Sequence, residues 1–210
     1  MRFVMKKIVF VLFFLLAVST LATAAEVNFG ADGLKGISAE QQKMLAEGKI
    51  IFSTQDKSKE NSLIEAVVVF NQPIESTWSL LTKVDEQDKY LSEIKKLNLA
   101  SKNPVKVEFG LKILFLSVWY QCQYQFNKPN YYFDWRLDPT YKNELNSLSG
   151  FWKLYPYGNN KTLARYGSNV VIKGVPDWIQ GAFKKSGVEK ALQATKNFVD
   201  SGGTWSVKEP

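Results

Sequence analysis

The sequence contains no histidine and a single cysteine, Cys122. Without histidine there is no serine–histidine or cysteine–histidine nucleophilic machinery and no imidazole-ligated metal. With one cysteine there is no thiolate zinc site, no iron–sulfur cluster and no intramolecular disulfide. No metal and no cofactor is therefore expected. The apolar run at Ile8 to Val18 has eleven residues, short of the ~20 that a membrane-spanning helix needs. There is no internal repeat, no low-complexity tract and no Pro/Gly/Ser linker long enough to divide the chain. These absences leave one foldable globular domain and remove most familiar enzyme constellations.

What is present begins with an export signal. The positive stretch Met-Arg-Phe-Val-Met-Lys-Lys precedes the apolar run, and Ala22-Thr23-Ala24 fits the small-residue rule for cleavage. Charged, then apolar, then small is the order of a secretory signal peptide. Residues 1–24 are expected to be removed, and the protein to be exported, periplasmic or secreted. Cleavage takes away Arg2, Lys6 and Lys7, leaving 24 basic against 20 acidic residues and a net charge of +4. The remaining arginines are Arg136 and Arg165. Nucleic-acid readers favour arginine's bidentate fork, so no nucleic-acid partner is expected. A surplus this small allows transient contact with an anionic membrane surface. In an oxidising compartment Cys122 has no partner in its own chain, and it reads as a small buried apolar residue.

The expected organisation is a leader with a short helix over residues 25–48, one domain over 49–203 and a tail over 204–210. Asn28 to Gly36, with three glycines, reads as a mobile leader. Ser38 with Gln41 three positions later is a capping box, and Gly48 suits the helix end. Lys49 to Thr54 and Leu63 to Phe70 are β-rich, the second apolar on nearly both faces as a well-covered strand would be. Pro73 suits the first turn of a helix carried by Ile74, Trp78, Leu81 and Val84, followed by the solvated charge run Asp85 to Lys89. From Ile94 to Ile172 the period becomes two. Val118, Tyr120, Cys122, Tyr124 and Phe126 form one alternating set, and Tyr131, Phe133, Trp135 and Leu137 another. Turn signals stand at Asn127 to Asn130, Asp138-Pro139 and Gly158 to Asn160. This pattern makes an antiparallel meander with one strongly aromatic face. Pro176-Asp177 then opens a long amphipathic helix, in which Gly181 and Gly187 mark a kink or a close approach to the sheet. The class is α+β. A long curved sheet covered by one terminal helix does not close everywhere, and a tunnel or pocket between them is the expected outcome.

The stretch Pro73-Ile-Glu-Ser-Thr-Trp78-Ser-Leu-Leu-Thr82 resembles the start of the first helix in START-like (SRPBCC) proteins. This superfamily includes polyketide cyclase/dehydratase-like proteins, coenzyme-Q-binding START proteins and plant pollen-allergen relatives. Gly150-Phe-Trp-Lys-Leu-Tyr-Pro156 with Thr162-Leu-Ala-Arg-Tyr166 is similar to the late strand pair, and Val175-Pro176-Asp177-Trp178 to the start of the final helix. The match runs from about Gly48 to Val199. It departs at Lys83, where relatives commonly carry an aspartate, so no role of that acid carries over. The resemblance implies a helix-grip fold, a curved antiparallel sheet wrapped around a long C-terminal helix. It also implies a cavity for hydrophobic molecules such as lipids, sterols, quinones or polyketides. It implies no catalytic residue.

By parity the ligand-binding wall is Tyr120, Cys122, Tyr124, Phe133, Trp135, Trp152 and Tyr166, with Trp178, Phe183 and Leu192 from the helix. The alternative for each is simple filling of a packed core. Buried phenols need partners, which a ligand's polar end or a water supplies. Arg136 and Arg165 fall among the outward alternates and read as surface ion-pair or hydrogen-bonding groups. The inward alternates contain no Asp, Glu or Lys, and Glu65 and Asp134 reach the pocket only if a bulge reverses the parity. Three functions follow. The first is an exported carrier of a lipid or other hydrophobic small molecule, with the final helix or a nearby loop as gate. The second is a cyclase- or dehydratase-like enzyme on a polyketide-like substrate. The third is an envelope interaction protein with a solid core.

Overall fold

A computed structural model describes residues 28–55, 63–113, 116–175 and 177–207, with the side chains of 54, 55, 113 and 177–185 excepted. The expected signal peptide lies outside the described residues. Eight strands form one antiparallel sheet: β1 Ile51–Gln55, β2 Leu63–Phe70, β3 Ile94–Lys102, β4 Val105–Ile113, β5 Leu116–Asn127, β6 Tyr132–Leu137, β7 Leu145–Tyr157 and β8 Lys161–Ile172. Their order is β1-β2-β8-β7-β6-β5-β4-β3. From β3 to β8 each strand pairs with the next in sequence, as short turns between alternating segments require. Register shifts in β3 and at the start of β7 mark bulges, which bend the strands that carry them. The expected meander is borne out.

Three helices complete the fold: α1 Ala39–Ala46, α2 Ile74–Leu81 and α3 Asp177–Asp200. The capping box of α1 is formed as expected, Gln41 N–H donating to Ser38 Oγ and Ser38 N–H to Gln41 Oε1. In α2, Trp78 is buried and meets Phe133 and Tyr131 edge-on, at centroid distances of 5.8 and 5.9 Å. The charge run is a 3-10 segment, Val84–Lys89. The C-terminal half of α3 packs into the inner core through Leu192, Phe198 and Val199. Its last turn is clamped to the end of β2. Lys196 Nζ donates to the Val69 carbonyl at 2.6 Å and pairs with Asp200 at 2.6 Å, while Asp200 accepts the Asn71 amide at 2.7 Å. Residues 204–207, expected as a tail, turn back: Val207 N–H and Ser206 Oγ both donate to the Lys89 carbonyl.

The sheet has a second, smaller core on its opposite face. There Phe29, Leu45, Ile51, Val67, Val69, Tyr155 and Leu163 pack together. This explains why β2 is apolar on both faces. It also corrects the expectation of a mobile leader, because Phe29 is buried and Lys35 N–H bonds back to its carbonyl at 3.0 Å. Gly33, at φ +78°, lies so close to the sheet that a Cβ would stand 2.5 Å from the Tyr155 ring. Only glycine, having no Cβ, fits that backbone at that approach. Arg165 is outward, as parity gave, but it is not an exposed group: it is 9% exposed, stacks 4.2 Å from the Phe29 ring and donates to the Lys35 carbonyl at 3.0 Å. Arg136 is exposed.

Candidate functional site

Between the inner face of the sheet and the middle of α3 lies a hollow in two parts. An outer chamber of about 590 Å³ is bounded by β4, β5, β7 and β8, by the 3-10 segment and the turn after it, and by Ser186 to Ala191 of α3. An inner chamber of about 180 Å³ lies deeper. The two share Gln87, Leu91, Phe109, Tyr120, Leu148, Tyr166, Ser168 and Ala191 as walls, so they adjoin. The hollow follows from the way α3 is held. Its last turns are packed and clamped, whereas at Gly187 an added Cβ would meet nothing within 4 Å. Of the two expectations at Gly187, a kink or a close approach to the sheet, the close approach is corrected, because the position faces open space. The surroundings of Gly181 lie outside the described residues.

Tyr120, Cys122, Tyr124, Phe133, Trp135, Trp152, Tyr166 and Leu192 all border the inner chamber, and Tyr120 and Tyr166 the outer one as well. The side chains of Trp178 and Phe183 lie outside the described residues. Phe126 shares the parity of the β5 set but is 38% exposed, beside the turn and past the last β5 residue that reaches the hollow. The aromatic rings pack in series: Trp152 and Trp135 meet Tyr166 at a tilt, 4.8 and 6.0 Å between centroids, and Tyr120 stacks on Phe109 at 5.1 Å. Burial pushes the ionisation of Tyr120, Tyr124 and Tyr166 upward, as it does that of the Cys122 thiol. All four are neutral at physiological pH. Tyr166 is also hydrogen-bonded to Ser168.

Sequence reasoning missed the wide end. Phe109, Leu111, Val118, Leu145, Leu148, Val170 and Ile172 line the outer chamber, and most are aliphatic. They continue the same alternation along β4, β5, β7 and β8, and that signal was available once the aromatic stretch was extended. The expectation that the wall holds no Asp, Glu or Lys is corrected there, since Glu93, Lys112 and Lys190 stand at its rim. Lys190 Nζ pairs with Glu93 Oε1 at 2.5 Å and donates to Ser92 Oγ at 3.1 Å, tying α3 to the start of β3. Burial raises the Glu93 carboxyl, but the bonds from Lys190, its own amide and Ser92 outweigh this and hold it below the ordinary carboxylate range. Glu65 and Asp134 do not border the hollow. Among the described residues no group of three His, Cys, Asp or Glu side chains could hold a metal, and no helix is long and apolar enough to cross a membrane.

No protein-family model matches the chain, and no curated protein matches it. Solved structures do. A protein from Thermus thermophilus superposes with a TM-score of 0.57 at 15% identity, over 68% of this chain and 99% of its own. A START superfamily protein from Mycobacterium smegmatis gives 0.57 at 15% identity, over 66% and 97%. The Zhui aromatase/cyclase from Streptomyces sp. R1128 gives 0.55 at 12% identity, over 66% and 93%. At such identities the likeness speaks for architecture, and it agrees with the strand order and the position of α3. The chain has the START-like helix-grip fold.

Proposed function

We propose that this protein binds or carries a hydrophobic small molecule or lipid in the hollow between sheet and α3. We further propose that it works outside the cytoplasm after removal of residues 1–24. One observation carries the reading: a chamber of about 590 Å³ with mostly apolar walls, opening inward onto an aromatic one. Sites for small molecules run from roughly 300 to 1,000 Å³, and a solid-core interaction protein would have no such space. Binding would come from burial of apolar surface, at about 25 cal/mol per Å² removed from water. The Glu93–Lys190 tie at the rim suits a gate, because it joins the stretch of α3 that borders the outer chamber to the sheet edge. Transient contact with a membrane surface would deliver and collect the cargo.

The test is direct. Protein purified natively from its own host is expected to show an adduct in native mass spectrometry, and organic solvent should release that molecule for identification. Bare polypeptide in repeated preparations, with no uptake of fluorescent fatty acid or sterol probes, would overturn the reading. A cyclase- or dehydratase-like enzyme is the second reading, favoured by the ionisable pair Glu93 and Lys190 at the mouth. A carrier returns its guest chemically unchanged, so comparing the compound supplied with the compound recovered after incubation separates the two.

A further inference from the structure

The inner chamber has a polarity that its oily outline hides. Tyr90, Tyr120 and Tyr124 border it, at 2%, 8% and 6% exposure. Among the described residues none of these three hydroxyls has a hydrogen-bond partner. Buried polar groups are nearly always paired, and leaving a donor unmade costs stability. None of the three oxygens is sealed off among side chains, so each is open to an acceptor, and three such groups around one small space make a recognition surface. Of the other polar groups nearby, Thr195 donates to the Ala191 carbonyl and Tyr166 bonds with Ser168, while the Gln87 amide stands at the junction with the outer chamber.

The chamber is also uncharged. No Lys, Arg, Asp or Glu is among the described residues that border it, whereas the outer chamber has Lys112, Lys190 and Glu93 at its rim. A carboxylate or phosphate pushed to the inner end would lose its water with no cation to replace it. A neutral carbonyl or ether oxygen would instead meet three phenolic O–H donors.

Resting on the carrier reading above, we infer that the guest is a neutral, oxygen-bearing hydrophobe that enters oxygen-first. Tyr90, Tyr120 and Tyr124 form the hydrogen-bonding subsite for its carbonyl or ether oxygen. The apolar body lies along Phe109, Leu148 and Val170, and any charged end stays at the mouth. Burial supports the donor role, since it raises the ionisation of all three phenols and keeps their protons in place.

The experiment uses the full chain and three probes of equal carbon number: a methyl ketone, the alkane and the carboxylate, each displacing a fluorescent reporter. The ketone is expected to bind about tenfold more tightly than the alkane, the factor of one to two hydrogen bonds. In Tyr120→Phe/Tyr124→Phe that preference should fall to about twofold or less while alkane affinity holds. Isotope-edited infrared of the ketone bound to the unaltered protein should show its carbonyl stretch at lower frequency than in hexane, a readout independent of how the variant folds. Equal binding of ketone and alkane, as a chamber satisfied by water alone would give, overturns the inference and leaves the carrier reading standing. Tightest binding of the carboxylate overturns it too and assigns the polar end to the lysines at the rim. Failure of every probe to bind overturns both.

Discussion

Lys190, just past the middle of α3, reaches across the mouth of the hollow to Glu93, 2.5 Å from Nζ to Oε1. The contact ties α3, whose last turn is held by Lys196 and Asp200, to the opposite margin of the sheet. Releasing it should loosen the stretch of α3, Ser186 to Ala191, that borders the outer chamber. Glu93→Gln is expected to speed dissociation of a bound fluorescent probe several-fold in stopped-flow measurements. Because Lys190 is largely exposed, the effect on global stability should stay within about 1 kcal/mol. The sign with pH follows from the lowered Glu93 carboxyl. A group whose folded pKa is depressed stabilises above its unfolded value, and that contribution is lost as pH falls through the folded one. Dissociation should therefore be flat through neutral pH and rise only at acid pH, below the ordinary carboxylate range. In Glu93→Gln the acid rise should disappear.

Gly187 separates filling the hollow from weakening the fold. A Cβ there touches nothing, so Gly187→Ala should stabilise the protein by up to about 1 kcal/mol through helix propensity. Gly187→Phe places a ring where the guest would lie. It should lower probe uptake at least tenfold while thermal unfolding shows no loss of stability. Uptake unchanged in both variants would move the guest elsewhere.

Gly150 works the other way. It faces Trp135 across the β6–β7 pair, and a Cβ would overlap the indole and stand 2.7 Å from the Gly167 carbonyl. The Gly167 carbonyl is backbone and cannot give way cheaply, and the indole can move only into the inner chamber. Gly150→Ala should cost about 1–3 kcal/mol in denaturant unfolding, in line with other overpacked cores, and should weaken binding as Trp135 is pushed inward.

Cys122 is a built-in reporter. Burial keeps its thiol protonated, so charged alkylating reagents should react far more slowly than with a free thiol at pH 8. A small apolar maleimide can approach through the hollow, and a saturating guest should protect against it. Mass spectrometry of the intact chain over time reads both. Equal rates with and without guest would exclude the inner chamber as the place of binding.

The parts legible in the sequence are those governed by period and punctuation. The alternation through Val118, Tyr120, Cys122 and Tyr124 placed β5 and its inner face, because a strand covered on one side must write that pattern. The rim was not legible. Glu93 sits in the bend before β3, and Lys190 lies off the apolar stripe of α3, so neither belonged to any periodic set. Their meeting depends on how far α3 stands from the sheet, a distance set by packing at its other end. The outer core was hidden for a different reason. Phe29 is an apolar residue in a glycine-rich stretch, and only the tertiary fold shows that its ring stacks on Phe151 while Gly33 lies close against Tyr155 and Leu163.

The return of the chain to Lys89 has a practical consequence. The carbonyl that holds Ser206 and Val207 belongs to the short segment carrying Gln87, with Leu91 just beyond it, and both of these side chains form part of the guest's enclosure. Anything fused directly after residue 207 would pull on that segment. Purification handles, fluorescent partners and surface tethers attached at this point should change loading and release, even though residues 204–207 do not themselves border the hollow.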